Sequence, residues 1–99
     1  MFYRVEPTRQ ALRDLAQVRR WLLQAGAGAV AREKLRQIQA SIGELSLSPL
    51  RWPVGAHPDV RELPVEGYSV LYKVEELKPG AGTVLILRVF GTYQSRDFL

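Results

Sequence analysis

The stretch from Arg61 to Phe90 constrains this chain most, because its hydropathy pattern reads as three successive strands. Tyr68, Val70, Tyr72 and Val74 alternate with Ser69, Leu71, Lys73 and Glu75. That period of two gives a strand two unlike faces. Glu66-Gly67, between Val65 and Tyr68, is short enough for a tight hairpin. Lys78-Pro79-Gly80-Ala81-Gly82 predicts a longer, more flexible turn before the third strand. Val84 to Phe90 is apolar on both faces except for Arg88, as expected of a strand in the middle of a sheet. Everything upstream is expected to cover that sheet.

Phe2 to Glu6 alternates apolar and polar residues and predicts a short strand, ended by Pro7. Thr8 is a suitable N-cap for a helix running from Arg9 to about Ala25. Ala11, Leu12, Leu15, Val18, Trp21 and Leu22 recur there at helical spacing, with Arg9, Arg13, Asp14, Gln17, Arg20 and Gln24 mainly opposite. Gly26 and Gly28 break the pattern. A second helix carries the ladder Ala31, Leu35, Ile38, Ile42 and Leu45, with Arg32, Glu33, Arg36 and Gln39 outside. The connection is short, so the two should form an antiparallel helical hairpin packed at a shallow angle. Ser46 to Asp59, with Pro49, Pro53 and Pro58, is the one long connection. Its Leu50, Trp52 and Val54 are expected to tuck back as a plug. The result is one α+β domain over residues 1–99, in the order β-α-α-β-β-β. Its sheet is four-stranded and largely antiparallel, with one face under the hairpin and an open edge on each side to which another chain can add.

The side-chain inventory removes several chemistries. With no cysteine, the chain has no disulfide, thiolate nucleophile or Cys-ligated metal, and His57 alone cannot build a histidine metal site. No apolar run approaches the roughly 20 residues that span a bilayer, and no signal-peptide core precedes the first strand, so a cytoplasmic protein is expected. The formal charge of +4 comes from 14 basic against 10 acidic residues, and eleven of the fourteen are arginine. Arginine grips carboxylates and phosphates in a bidentate fork, which suits an acidic protein partner or a nucleic-acid backbone. A GC-rich genome produces the same bias.

Several local patterns fall in a familiar order: Ala11-x-x-Asp14-Leu15, Ala31 with Leu35, Leu45-x-x-x-Pro49 and Val60-Arg61-Glu62-Leu63. Tyr68-Ser69-Val70-Leu71-Tyr72-Lys73-Val74 and Ile86-Leu87-Arg88-Val89-Phe90-Gly91 complete it. Together they cover nearly the whole chain, which resembles the RelE/ParE superfamily of bacterial type II toxins and is most similar to its ParE-like side. The resemblance implies a toxin held in a hetero-oligomer by a cognate, ParD-like antitoxin, with no cofactor and no metal. For ParE-like members it implies DNA gyrase as target. For RelE-like members it implies cleavage of mRNA on the ribosome by a patch of Lys, Arg and Tyr side chains. A third reading is an inactive module that only binds its antitoxin.

Metal-free RNA cleavage needs assistance to the attacking 2′-OH, a proton for the leaving oxygen and cations around the phosphorane. Arg61, Arg88 and Tyr93 are the candidates if the chain is a nuclease, and antiparallel neighbours would bring the two arginines together. Arginines are poor proton shuttles, however, and no lysine lies between Lys34 and Lys73. The structural alternatives are an Arg61 ion pair with Glu62 or Glu75, and Arg88 as an anchor for an acidic antitoxin segment or for the chain's own C-terminus. Arg13, Arg20, Arg61, Arg88, Tyr93 and Arg96 are the candidates for contact with antitoxin or target. Where many ParE-like chains carry a histidine and a basic pair after the last strand, this one has Phe90-Gly91 and a single Arg96.

Overall fold

Residues 3–26 and 28–91 are described by the computed structural model. They form β1 (Tyr3–Pro7), α1 (Arg9–Leu22), α2 (Gly28–Glu44), β2 (Arg61–Val65), β3 (Tyr68–Lys78) and β4 (Ala81–Gly91). The strands make one sheet in the order β1-β4-β3-β2, with β1 parallel to β4 and the other pairs antiparallel. The apolar run of β4 therefore lies inside the sheet, as its composition predicts.

Both hairpins are tight. Val65 pairs with Tyr68, and Glu66 and Gly67 adopt φ of 49° and 79°, the left-handed pair that matches the twist of two-residue hairpins. The second turn is shorter than expected: Lys78 pairs with Ala81, leaving only Pro79 and Gly80 between two strands of 11 residues each. Proline supplies the first turn residue and Gly80, at φ 83°, the second. Gly82 is required for another reason. A Cβ there would lie 2.1 Å from the carbonyl oxygen of Glu75.

The main core lies between the sheet and the helices. Val70, Tyr72, Val84, Ile86 and Val89 face Ala11, Val18, Leu22, Leu35 and Ile38. Tyr68 and Tyr72 both lie in it, and the Tyr72 hydroxyl donates to the Pro49 carbonyl oxygen at 2.6 Å. On the opposite face a smaller cluster joins Val60, Leu71 and Phe90, with Leu87 against it.

Thr8 caps α1 as expected, its Oγ1 accepting from the Ala11 N–H at 3.2 Å while donating to the Ile86 carbonyl. The helix is shorter than its periodicity suggested, ending at Leu22 where the Leu23 N–H bonds the Arg19 carbonyl. Its buried row is Ala11, Asp14, Val18 and Leu22. Asp14 thus points inward, against expectation, while Leu12, more than about 100° round from the centre of that row, and Trp21, at its margin on the Asp14 side, stay 54% and 59% exposed. In the long loop, Trp52 packs against the core, but Leu50 and Val54 remain about half exposed, so only one of the three expected plug residues fills that role. Among the described residues, no helix is long and apolar enough to cross a membrane.

Candidate functional site

The feature that joins the helical layer to the sheet is built around Asp14. Leu71 pairs with Arg88 while its neighbour Tyr72 pairs with Ile86, so β4 carries one extra residue, Leu87. This bulge shifts the alternation: Leu87 and Arg88 follow each other on the side of Leu71, Val89 returns to the helix-facing core, and the Arg88 guanidinium reaches Asp14 of α1. β1 has already ended, with Pro7 opposite Ile86, and offers no carbonyl to the Val89 N–H. Asp14 supplies the acceptor. Its Oδ2 takes the Val89 N–H at 2.9 Å and Arg88 Nε at 2.7 Å, and its Oδ1 takes Arg88 Nη2 at 3.3 Å and Gln10 Nε2 at 3.1 Å. The two side chains are only 18% and 8% exposed. A charge that far out of water is retained only with a partner and hydrogen bonds, and here the carboxylate has both.

Arg61 makes no ion pair with Glu62 or Glu75. Its Nη1 donates to main-chain carbonyls of the long loop, Trp52 at 2.6 Å and Leu50 at 3.4 Å, and Glu62 accepts from the Ser69 hydroxyl instead. The prolines explain the difference, because a loop without regular structure leaves carbonyls that need donors. Arg61 and Arg88 are not on neighbouring strands either. β3 lies between them, about 10 Å of sheet width, and one guanidinium turns to the loop while the other turns to α1. Their expected convergence on one phosphate is therefore absent from the described residues.

Arg13 and Arg20 stand exposed on α1, within about 20° of each other around the helix axis, and Arg9 continues the same ridge. Asp14 is the only acidic residue of α1 and is committed to Arg88. Among the described residues, none of Arg9, Arg13, Arg19 or Arg20 has a carboxylate within ion-pair distance. Tyr93 and Arg96 lie outside the described residues. His57 is half-buried beside a recess lined by Val60, Leu71 and Phe90. No group of three metal-ligating side chains occurs among the described residues.

Tyr3 and Tyr72 are held protonated. Tyr3 donates to Glu76 Oε2 at 2.8 Å, and that hydrogen bond raises its pKa above the ordinary value, while burial does the same to Tyr72. Weakened phenols and permanently charged guanidiniums bind anions well but exchange protons poorly near neutrality. Sequence reasoning missed Asp14. The signal was an acid placed in the i, i+3, i+7 row of Ala11 and Val18, where an apolar residue belongs.

The helical hairpin over a β1-β4-β3-β2 sheet is the fold of the RelE/ParE-like toxins. A chain described as the chromosomal ParDE toxin–antitoxin system from P. aeruginosa superposes with a TM-score of 0.70 at 19% identity, over 90% of this chain and 95% of that one. The RelBE2 toxin–antitoxin complex from Mycobacterium tuberculosis gives 0.62 at 24% identity, over 92% and 99%. The intact E. coli RelBE complex gives 0.61 at 19% identity, over 93% and 99%. Among curated proteins, none matches by sequence. The family model for the ParE toxin of the type II toxin–antitoxin system parDE matches residues 5–96, and the chain belongs to that family.

Proposed function

We propose that this toxin acts by binding DNA gyrase, without catalysis, and that a ParD-like antitoxin neutralises it in the cytoplasm. Residues 1–99 serve as one toxin domain in this reading. The observation that carries it is the commitment of Arg61 to loop carbonyls and of Arg88 to Asp14. A metal-free nuclease needs several cations converging on one phosphate together with a proton donor. These arginines are instead spread over two elements, and the Tyr3 and Tyr72 phenols are shifted away from acidity.

The hairpin supplies the surface for the antitoxin. Arg13 and Arg20 crest a ridge flanked by exposed Leu12 and Trp21, which suits an amphipathic partner helix with acidic residues along one margin. Arg61, Arg88, Tyr93 and Arg96 remain assigned to contact with antitoxin or target, with Arg88 acting through the Asp14 pair. Expression without the antitoxin gene, with DNA damage and mRNA integrity followed in parallel, tests the reading. Growth arrest with an SOS response and intact mRNA supports gyrase poisoning. Translation arrest with mRNA cut at codon boundaries supports the ribosome-dependent nuclease, and no arrest supports an inactive antitoxin-binding module.

A further inference from the structure

The two long strands outrun β2. Pairing between β2 and β3 stops at Arg61–Tyr72, although β3 continues to Lys78. The orientation of that bare edge follows from the other side of β2. The Glu62 N–H bonds the Pro53 carbonyl at 3.3 Å and the Val60 carbonyl accepts from Gly55 at 2.8 Å, so both point away from β3. Arg61 must therefore turn its own N–H and C=O inward to Tyr72, and by alternation Val74 and Glu76 turn theirs to the same side. Beyond Arg61 no strand of the described residues meets them. A groove of about 570 Å³ runs alongside, with half-exposed Leu50 and Val54 as its apolar wall.

We infer that this edge receives an extended segment of another protein, which pairs antiparallel with β3 in line with β2. The segment places a basic residue opposite Glu75 and an acidic one opposite Lys73. A second copy of the chain does not suit the edge. Self-pairing that uses Val74 and Glu76 sets either Glu75 against Glu75 or Glu76 against Glu76. The one register that matches Lys73 with Glu75 puts Glu76 opposite Tyr72, whose edge Arg61 already holds. Like charges directly opposite oppose pairing, whereas complementary ones add to it. The inference does not depend on the target of the toxin or on the partner of the helical hairpin.

The probe is the hexapeptide Gly-Val-Thr-Lys-Val-Glu, with a control in which its Lys and Glu are exchanged. Titrated into the isotopically labelled 99-residue chain, the probe should shift and protect from exchange the amides of Val74 and Glu76. The Lys73 and Glu75 amides already face β4 and should change little. Glu75→Lys, an exposed substitution that leaves the ladder intact, should weaken the probe about twofold to fivefold and erase its advantage over the exchanged peptide. Untouched Val74 and Glu76 amides at millimolar peptide would overturn the inference. So would equal binding of both peptides by both proteins, or concentration-dependent dimers of the free chain that protect those two amides.

Discussion

Asp14 and Arg88 are 74 residues apart in sequence and 2.7 Å apart in the fold, and their contact ties α1 to the bulge of β4. The same carboxylate satisfies the Val89 N–H, so the pair serves as a structural joint as well as a charge balance. Asp14→Ala removes both functions and is expected to cost about 3 kcal/mol, the lower end for a broken buried pair because Arg88 keeps some water access. Asp14→Asn retains an acceptor for Val89 but takes the carboxylate charge away from the Arg88 guanidinium. Adding Arg88→Met to it should recover part of the loss, and urea unfolding of the wild type, Asp14→Asn, Arg88→Met and the double variant measures the coupling.

Tyr72 holds the proline-rich loop from beneath. Tyr72→Phe leaves the Pro49 carbonyl without its buried donor and should lower stability by about 1–3 kcal/mol. Amide exchange should rise along the loop around Pro49 while the β3–β4 ladder stays protected. Uniform loss of protection would mean that the hydroxyl matters only to global stability.

Glu33 gives the clearest acid response. Hydrogen bonds from Arg36 and Gln37 pull its pKa down from 4.5 to about 2. Its folded value is below its unfolded one, so the stabilisation is present above about pH 4.5 and is lost as pH falls toward 2. Titration of the Glu33 carboxyl resonance should give a midpoint well below that of an exposed glutamate, and Arg36→Ala should return it toward the ordinary range. The pair is exposed, so its effect on melting should be small.

Gly82 accepts no side chain without moving the neighbouring strand. Gly82→Ala forces its Cβ into the Glu75 carbonyl and should spread the β3–β4 ladder near its turn. A measurable drop in melting temperature is expected, with local loss of amide protection at Glu75 and Glu76. An unchanged melting curve would show that this end of the hairpin relaxes freely.

Arg13→Glu with Arg20→Glu reverses the α1 ridge without touching the core. Binding of the antitoxin should weaken at least tenfold and its salt dependence should flatten, while the melting temperature of the free toxin barely changes. Unchanged antitoxin affinity would move its site off this ridge.

Much of the fold was legible because it follows from short-range rules. The alternation of Tyr68, Val70, Tyr72 and Val74, the Thr8 cap and the ladder of Leu35, Ile38 and Leu45 each carry their own geometry. The two-residue Pro79-Gly80 turn was misjudged because flanking Lys78, Ala81 and Gly82 look like loop residues but pair as strand. The site was less legible, since it depends on which strands become neighbours. β3 between Arg61 and Arg88, the bulge at Leu87 and the meeting of Asp14 with Val89 are tertiary facts that no local pattern encodes. Arg61 illustrates the limit: nearby acids suggested an ion pair, but loop carbonyls lacking donors claimed it.

Inhibition of gyrase by binding alone is read out by a DNA cleavage assay with purified toxin. Supercoiled plasmid, gyrase and toxin are incubated, quenched with detergent and protease, and the linear DNA is measured. Toxin-dependent accumulation of linear DNA that the antitoxin abolishes, with mRNA on programmed ribosomes left intact, is the expected result. No linear DNA at toxin in large excess over gyrase, together with mRNA cut on programmed ribosomes, would contradict it.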